Sequence, residues 1–214
     1  MRARLVPAVV ALMLLTASCS VTSGSGTLAS ESRPVSGFNA VEISGTGELS
    51  IEQTGTESLK ISAEDNILPL LTSEVSGGTL KLEKKRNAFL RTTKPITYQL
   101  TVKDLTRLEI SGSAAVRASR LKTPSLGVEI SGSGDVKAAG TADDQELEIS
   151  GSGRYDASEL GCKSATIDVS GSGNATVNVS DVLDVQISGS GSVTYSGNPQ
   201  LSQDISGSGR LIKK

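Results

Sequence analysis

Histidine and tryptophan are missing from this chain of 214 residues, and aromatics make up only 2% of it. Without histidine there is no Ser-His-Asp or Cys-His catalysis and no imidazole metal site. With three tyrosines and two phenylalanines, a core built on aromatic anchors is not expected. Apolar residues amount to 36%, below the about 45–50% usual for a globular domain. Cysteine occurs only as Cys19 and Cys162, too few for a disulfide framework. The formal net charge is −2, and it becomes −4 if Arg2 and Arg4 leave with a cleaved leader. Neither value suits a nucleic-acid partner, which calls for a strongly basic face. What fills the space is serine and glycine, about a quarter of the chain. That composition alone would suit disorder, but 26 of these residues fall in one recurring motif.

The first 18 residues read as an export signal. Arg2 and Arg4 supply a positive start, and Leu5 to Leu15 is an apolar run interrupted by Pro7. The run is too short to span a bilayer, which takes about 20 residues. Leu15-Thr16-Ala17-Ser18-Cys19 resembles a bacterial lipobox, with Leu one place earlier than is usual. The resemblance implies cleavage before Cys19 and thioether attachment of diacylglycerol to its sulfur. Acylation of the new amine with palmitate or a similar chain would follow. Two or three chains anchor stably where one does not. The expected location is the bacterial cell envelope, with the membrane as a partner through the lipid. Ser20 follows Cys19, so the Asp that retains some lipoproteins at the inner membrane is missing. Residues 19–33 are expected to be the lipidated cysteine and a flexible Ser/Gly tether. Cys162 is expected to be a small buried hydrophobe.

The motif Ile-Ser-Gly-Ser-Gly, or a close variant, begins at Ile43, Ile110, Ile130, Ile149, Val169, Ile187 and Ile205, and the last six starts lie 18–20 residues apart. Two residues before the starts stand Val41, Leu108, Val128, Leu147, Ile167, Val185 and Gln203. After the motif come Leu49, Val116, Val136, Tyr155, Ala175, Val193 and Leu211. Two places further on are Ile51, Ala118, Ala138, Ala157, Val177, Tyr195 and Lys213. This period-2 alternation predicts a strand on each side of a Ser-Gly-Ser-Gly corner. A third, shorter segment turns Leu121, Leu160 and Val179 inward. The fold is therefore expected to be all-β, a β-solenoid of about 18–20 residues per coil, with like residues stacked in columns. Its interior is narrow, hence the alanines. Glycine at the corners supplies backbone angles that a Cβ forbids, and serine hydroxyls are expected to bond to neighbours or to corner backbone. The leucine-rich repeat and the calcium-binding nonapeptide repeat do not fit, because their Leu/Asn and Gly-Gly-x-Gly-x-Asp patterns are missing.

Residues 34–105 break the period, and residues 106–214 carry the regular coils. Glu48–Thr54, Ser58–Ala63 and Ile96–Val102 alternate as strands, Ile67–Leu71 forms a turn around Pro69, and Leu71–Val75 with Thr79–Glu83 forms a hairpin around Gly77-Gly78. These irregular coils are expected to cap the N-terminal end. Val35-Ser36-Gly37-Phe38-Asn39-Ala40-Val41-Glu42-Ile43, Glu64-Asp65-Asn66-Ile67-Leu68-Pro69 and Gly77-Gly78-Thr79-Leu80-Lys81-Leu82, with the later repeats, resemble the head GIN domain family, also called putative autotransporter adhesin head domains. The resemblance spans residues 35–210. It implies a right-handed β-helix in bacterial envelope proteins, often lipoproteins, with a role in adhesion. It transfers no catalytic residue and no cofactor.

Two clusters are candidate sites. Glu42, Glu109, Glu129, Glu148, Asp168, Gln186 and Asp204 precede the aliphatic starts, so they form an outward, mostly acidic column. It reads either as a metal or basic-partner ribbon or as a solvated edge, with Arg117 and Lys137 placed to offset its charge. Lys84, Lys85, Arg86, Arg91 and Lys94 surround Phe89 and Leu90, and read as a solvated loop or as an anion contact for lipid headgroups or envelope polymer. The expected function is a noncatalytic, lipid-anchored envelope solenoid for adhesion, binding or scaffolding, with an envelope protein or glycan as partner. A glycan-processing β-helix enzyme and a partner module for envelope signalling are the alternatives. Gln203 and Lys213 break the apolar columns near the C-terminal edge, which predicts a mainly monomeric protein.

Overall fold

The computed structural model describes residues 21–214. The signal segment and Cys19 lie outside the described residues. The regular coils follow from the spacing of the motif. The cap opens with β1 (Val21–Ser23), β2 (Leu28–Arg33), β3 (Ala40–Gly45), β4 (Glu48–Gln53) and β5 (Ser58–Glu64). A 3-10 turn at Leu68–Leu70 leads into the hairpin of β6 (Leu71–Ser76) and β7 (Thr79–Lys84). Then come β8 (Phe89–Arg91), β9 (Thr97–Val102) and β10 (Arg107–Gly112). Four long strands follow: β11 (Ala115–Gly132), β12 (Asp135–Gly151), β13 (Arg154–Gly171) and β14 (Asn174–Gly189). The last coil is split into β15 (Ser192–Ser196), β16 (Gln200–Gly207) and β17 (Arg210–Lys213). The result is a β-solenoid of about five turns.

The long strands run over two broad faces, joined in β11, β12 and β13 by a short middle segment around Leu121, Gly140 and Leu160. On one, β6, β7, β3 and β10 lead to the second halves of β11 to β14, then β16. On the other, β2, β5, β9 and β4 lead to the first halves, then β15 and β17. The register slips between Ala118 and Leu121, between Lys137 and Ala139, and between Ala157 and Gly161, which bends each strand from one face to the next. Pairing within the regular coils is parallel throughout. Antiparallel pairs occur in the cap, where β2 joins β5, β5 joins β9, and β6 joins β7.

The expected column of aliphatic starts forms residue for residue. Ile43, Ile110, Ile130, Ile149, Val169, Ile187 and Ile205 are register partners, and all but Ile205 are buried. Leu121, Leu160 and Val179 also point inward. Burying an aliphatic side chain contributes about 1.5–3 kcal/mol, so the stability of each coil comes from its neighbours. Among the described residues, the buried core runs from Phe38 to Val193.

The corners are tied by backbone groups. The amides of Ser113, Ser133, Ser152, Ser172, Ser190 and Ser208 each donate to a glycine carbonyl one coil earlier, at 2.8 Å. At Gly151 the backbone takes φ +125°, and a Cβ there would sit 2.5 Å from the Gly132 oxygen. The stack leaves no room for a side chain at that place. Of the two expected roles for the corner serine hydroxyls, the bond to a neighbour occurs at Ser170, whose Oγ donates to Asp168, while the rungs between corners are carried by the amides.

Among the described residues, two polar side chains are buried in the regular coils, Thr123 and Gln145. Gln145 stands in the column of Leu126, Ala165 and Leu183 and is 2% exposed. Its amide donates to the Tyr155 hydroxyl, and Cys162 Sγ approaches its Oε1 at 3.5 Å. Cys162 is buried, as expected for a small hydrophobe.

A correction concerns residues 21–33, the described part of the tether expected over 19–33. In place of a flexible tether, Leu28–Arg33 pairs along its whole length with Ser58–Glu64, and Val21–Ser23 pairs with Phe89–Arg91. Arg33 explains part of this, donating to the carbonyls of Leu71 and Leu68 at 2.9 and 3.1 Å and so fastening β2 to the turn.

Candidate functional site

The outward column is continuous. Glu42, Glu109, Glu129, Glu148, Asp168, Gln186 and Asp204 are successive register partners, and adjacent strands stand about 4.8 Å apart. Cations meet it near the cap. Lys81 is the register partner of Glu42 and its Nζ lies 2.8 Å from that carboxylate. Arg107 bonds to Glu109 and reaches Glu129 at 3.2 Å. The hydrogen bond to Glu42 and that carboxylate's charge hold the Lys81 ammonium above its ordinary range. Arg117 and Lys137 do not reach the column. They are register partners on the other face, where Lys137 also pairs with Asp156. The assignment of those two cations to the acidic column is therefore corrected, because a corner of the repeated motif on one side and the bend in the strand on the other separate the faces. Among the described residues, no group of three Asp, Glu, Cys or His side chains is placed to hold a metal ion.

The basic loop is ordered by its own backbone. Lys85 N donates to Leu70 O at 2.7 Å, and Ala88 N closes a turn on Lys85 O at 3.0 Å. Asn87 takes φ +67° at that turn, a left-handed angle that Asn tolerates. Lys84 Nζ donates to Ala88 O at 2.6 Å and lies 5.6 Å from the centre of the Phe89 ring. Phe89, Leu90 and Arg91 pair in parallel with Val21, Thr22 and Ser23. Leu90 packs on the core, while Val21 and Phe89 are 62% and 48% exposed.

A carboxylate clamp holds this ribbon. Glu64 is 1% exposed. It accepts from Gly26 N at 2.8 Å, Thr93 N at 3.0 Å and Thr93 Oγ1 at 2.6 Å. These bonds, led by the Thr93 hydroxyl, hold its carboxyl below the usual range despite burial. Asp65 accepts from Ser25 Oγ, Asn66 Nδ2 donates to Ser23 O at 2.7 Å, and Ser25 N donates to Asn66 Oδ1 at 3.0 Å. Glu64-Asp65-Asn66 thus binds the first described residues to the loop after β8. Sequence reasoning placed these three in a distinctive segment but gave them no role. The signal for one was the Ser-Gly-Ser-Gly at residues 23–26, whose small residues let a carboxylate approach: a Cβ at Gly24 would overlap the Glu64 carboxylate, 1.9 Å from its Oε2.

A shallow depression on the Arg117 face was also not foreseen. It is lined by Arg117, Lys137, Ala138, Asp156, Ser158 and Glu159, where the strands bulge.

Solved structures share this architecture. A putative adhesin from Bacteroides fragilis is 25% identical, with a TM-score of 0.74 over 90% of this chain and 100% of that one. A putative adhesin from Parabacteroides merdae is 19% identical, with a TM-score of 0.57 over 90% of this chain and 98% of that one. A protein described as a putative lipid binding protein, from Parabacteroides distasonis, is 22% identical, with a TM-score of 0.56 over 91% and 100%. The last two likenesses are of fold. Among curated proteins, none matches the sequence. The sequence profile described as "Putative auto-transporter adhesin, head GIN domain" matches residues 37–199, from the glycine before Phe38 to the last split coil. With the repeat, the cap and the profile in agreement over most of its length, the chain belongs to the head GIN domain family of putative auto-transporter adhesins.

Proposed function

We propose that this protein is a lipid-anchored, noncatalytic module of the bacterial cell envelope that presents its solenoid faces for adhesion or scaffolding. The observation that carries the reading is the in-register stacking. Outward side chains repeat coil by coil, so they form parallel lines rather than converging on one point. Acid–base chemistry on a glycan needs two carboxyl groups with distinct environments facing each other across a bond. Repeated, evenly spaced contacts suit an extended partner such as an envelope protein or glycan chain. The fold likeness to a putative adhesin adds to the reading. The anchor would be Cys19, through the lipobox-like segment that ends at it.

Metabolic labelling with an alkyne palmitate tests the anchor. The native protein is expected to take up label, and Cys19→Ser is expected to remain an unlabelled precursor. Normal labelling of Cys19→Ser overturns the anchor. Incubation of the purified protein with envelope glycans tests the rest: retention without release of new reducing ends is expected, and catalytic release of such ends overturns the noncatalytic reading.

A further inference from the structure

The outer side of the β1–β8 ribbon has the chemistry of a membrane interface. Val21 and Phe89 are register partners, both well exposed, and Ser23 pairs with Arg91 at the other end. Lys84 lies over the Phe89 ring. Between residues 84 and 94 there are five cations and no carboxylate, in a protein whose net charge is negative. Among the described residues, none of the five forms an ion pair. Aromatic and aliphatic side chains ringed by Lys and Arg favour the boundary between headgroups and acyl chains, where anionic lipid attracts the cations.

Position supports the same surface. Val21 follows Cys19 by two residues, so even a fully extended chain spans roughly 7 Å between them. The headgroup layer on each side of a bilayer is itself about 5–7 Å thick. The ribbon cannot drift from the anchor either. Gly24 N donates to Arg91 O at 2.9 Å, and Glu64, Asp65 and Asn66 hold residues 23–26 and Thr93.

We infer that the β1–β8 ribbon, with Lys84, Lys85, Arg86, Arg91 and Lys94, is a docking surface for an anionic phospholipid bilayer, and that it seats the N-terminal cap at the headgroups with the coils rising away. This rests on the proposed anchor for its geometry, but the ribbon's affinity for lipid does not depend on acylation. The surface is a second membrane signal, reinforcing the first as a polybasic patch reinforces an acyl chain.

The test uses the unacylated chain from Ser20 onward, which contains every buried core residue among the described residues. It is sedimented with vesicles of pure phosphatidylcholine and with vesicles that also contain phosphatidylglycerol. Retention is expected on the anionic vesicles alone, with release as salt screens the charges. Lys85→Gln with Arg86→Gln is expected to lower the partition coefficient roughly 30-fold, about fivefold for each charge. Phe89→Ser is expected to lower it severalfold. All three side chains are exposed, so unchanged melting curves certify the fold of the variants. Equal retention on both kinds of vesicle, or equal retention of native protein and variants, overturns the inference. So does binding of soluble polyphosphate without binding of anionic vesicles, which would assign the loop to a polymer. Failure of Cys19 to take up palmitate, with vesicle binding intact, would remove the anchor reading and leave the docking surface standing.

Discussion

Two glycines in one coil make opposite predictions when each is replaced by alanine. Gly151 sits at the corner with φ +125°, outside any region an L-residue adopts comfortably. Its added Cβ would meet the Gly132 oxygen at 2.5 Å, and that same oxygen accepts the Ser152 amide at 2.8 Å. The clash cannot be relieved without moving a rung. Backbone strain of this kind costs about 1–3 kcal/mol, and a lost rung adds about 1 kcal/mol. Gly151→Ala is therefore expected to cost about 3 kcal/mol. For a domain of this size that lowers Tm by roughly 6–12 °C. Gly161, in the following strand β13, has open space where its Cβ would point and needs no positive φ. Gly161→Ala is expected to leave stability unchanged or to raise it by up to about 1 kcal/mol, by restricting the unfolded chain. Thermal melting followed by far-UV circular dichroism reads both. Equal Tm values for the two variants, or a lower Tm for Gly161→Ala, would refute the close-packed corner.

The inside and outside of one strand can be separated at adjacent positions. Ile149→Asp puts a carboxylate in a fully buried ladder and is expected to cost several kcal/mol, whereas Glu148→Ala, on the outward side, is expected to be neutral; equal losses in chemical denaturation would sink the assignment. At high pH, burial is the first cause that pushes the Cys162 thiol up to about 11 and the Tyr98 phenol up to about 12. Both values lie above the ordinary 9.0 and 10.0, so the stability they contribute is present below those values and is lost as pH rises through the shifted ones. The denaturation midpoint should hold up to pH about 9 and fall between about 9 and 12, and the native thiol should resist maleimide until the protein unfolds; rapid labelling of the native protein near neutral pH would contradict the burial. At the last coil, all eight residues of β16 are exposed. Gln203→Val with Lys213→Ile is expected to increase self-association in sedimentation, because both changes restore an apolar edge; unchanged sedimentation would show that these residues do not guard it.

The regular coils were legible to the residue because parallel, in-register stacking gives corresponding positions the same surroundings. Val128 and Ile130 could be paired with Leu147 and Ile149 from spacing alone, and the backbone registers confirm it. Cap strands β4, β5 and β9 were legible by alternation and the β6–β7 hairpin by its Gly-Gly turn, but the other partnerships were not. β2 pairs with β5, a long-range antiparallel match with no repeat to announce it. Its Ser-rich composition resembles a linker, and its attachment depends on Arg33 reaching two carbonyls. The bend within each long strand was invisible for another reason. It falls after Ala118 and after Lys137 and breaks the alternation there, whereas Arg117 and Lys137 stand away from the acidic column because a corner of the repeated motif precedes each of them. The basic loop was found by its charge, whereas its alignment with Val21 needed three dimensions.

The rungs between coils run along the long axis of the molecule, as do the corner amide bonds. Tension applied across the two ends would therefore load the coils in series, each interface bearing the full force. Rupture should start where an interface is least covered, at the exposed β16. Each coil of 18–20 residues that peels away would release roughly 60–70 Å of chain. A stack of this kind under pull acts as a graded extender, yielding in steps of one coil while the remaining coils keep their shape.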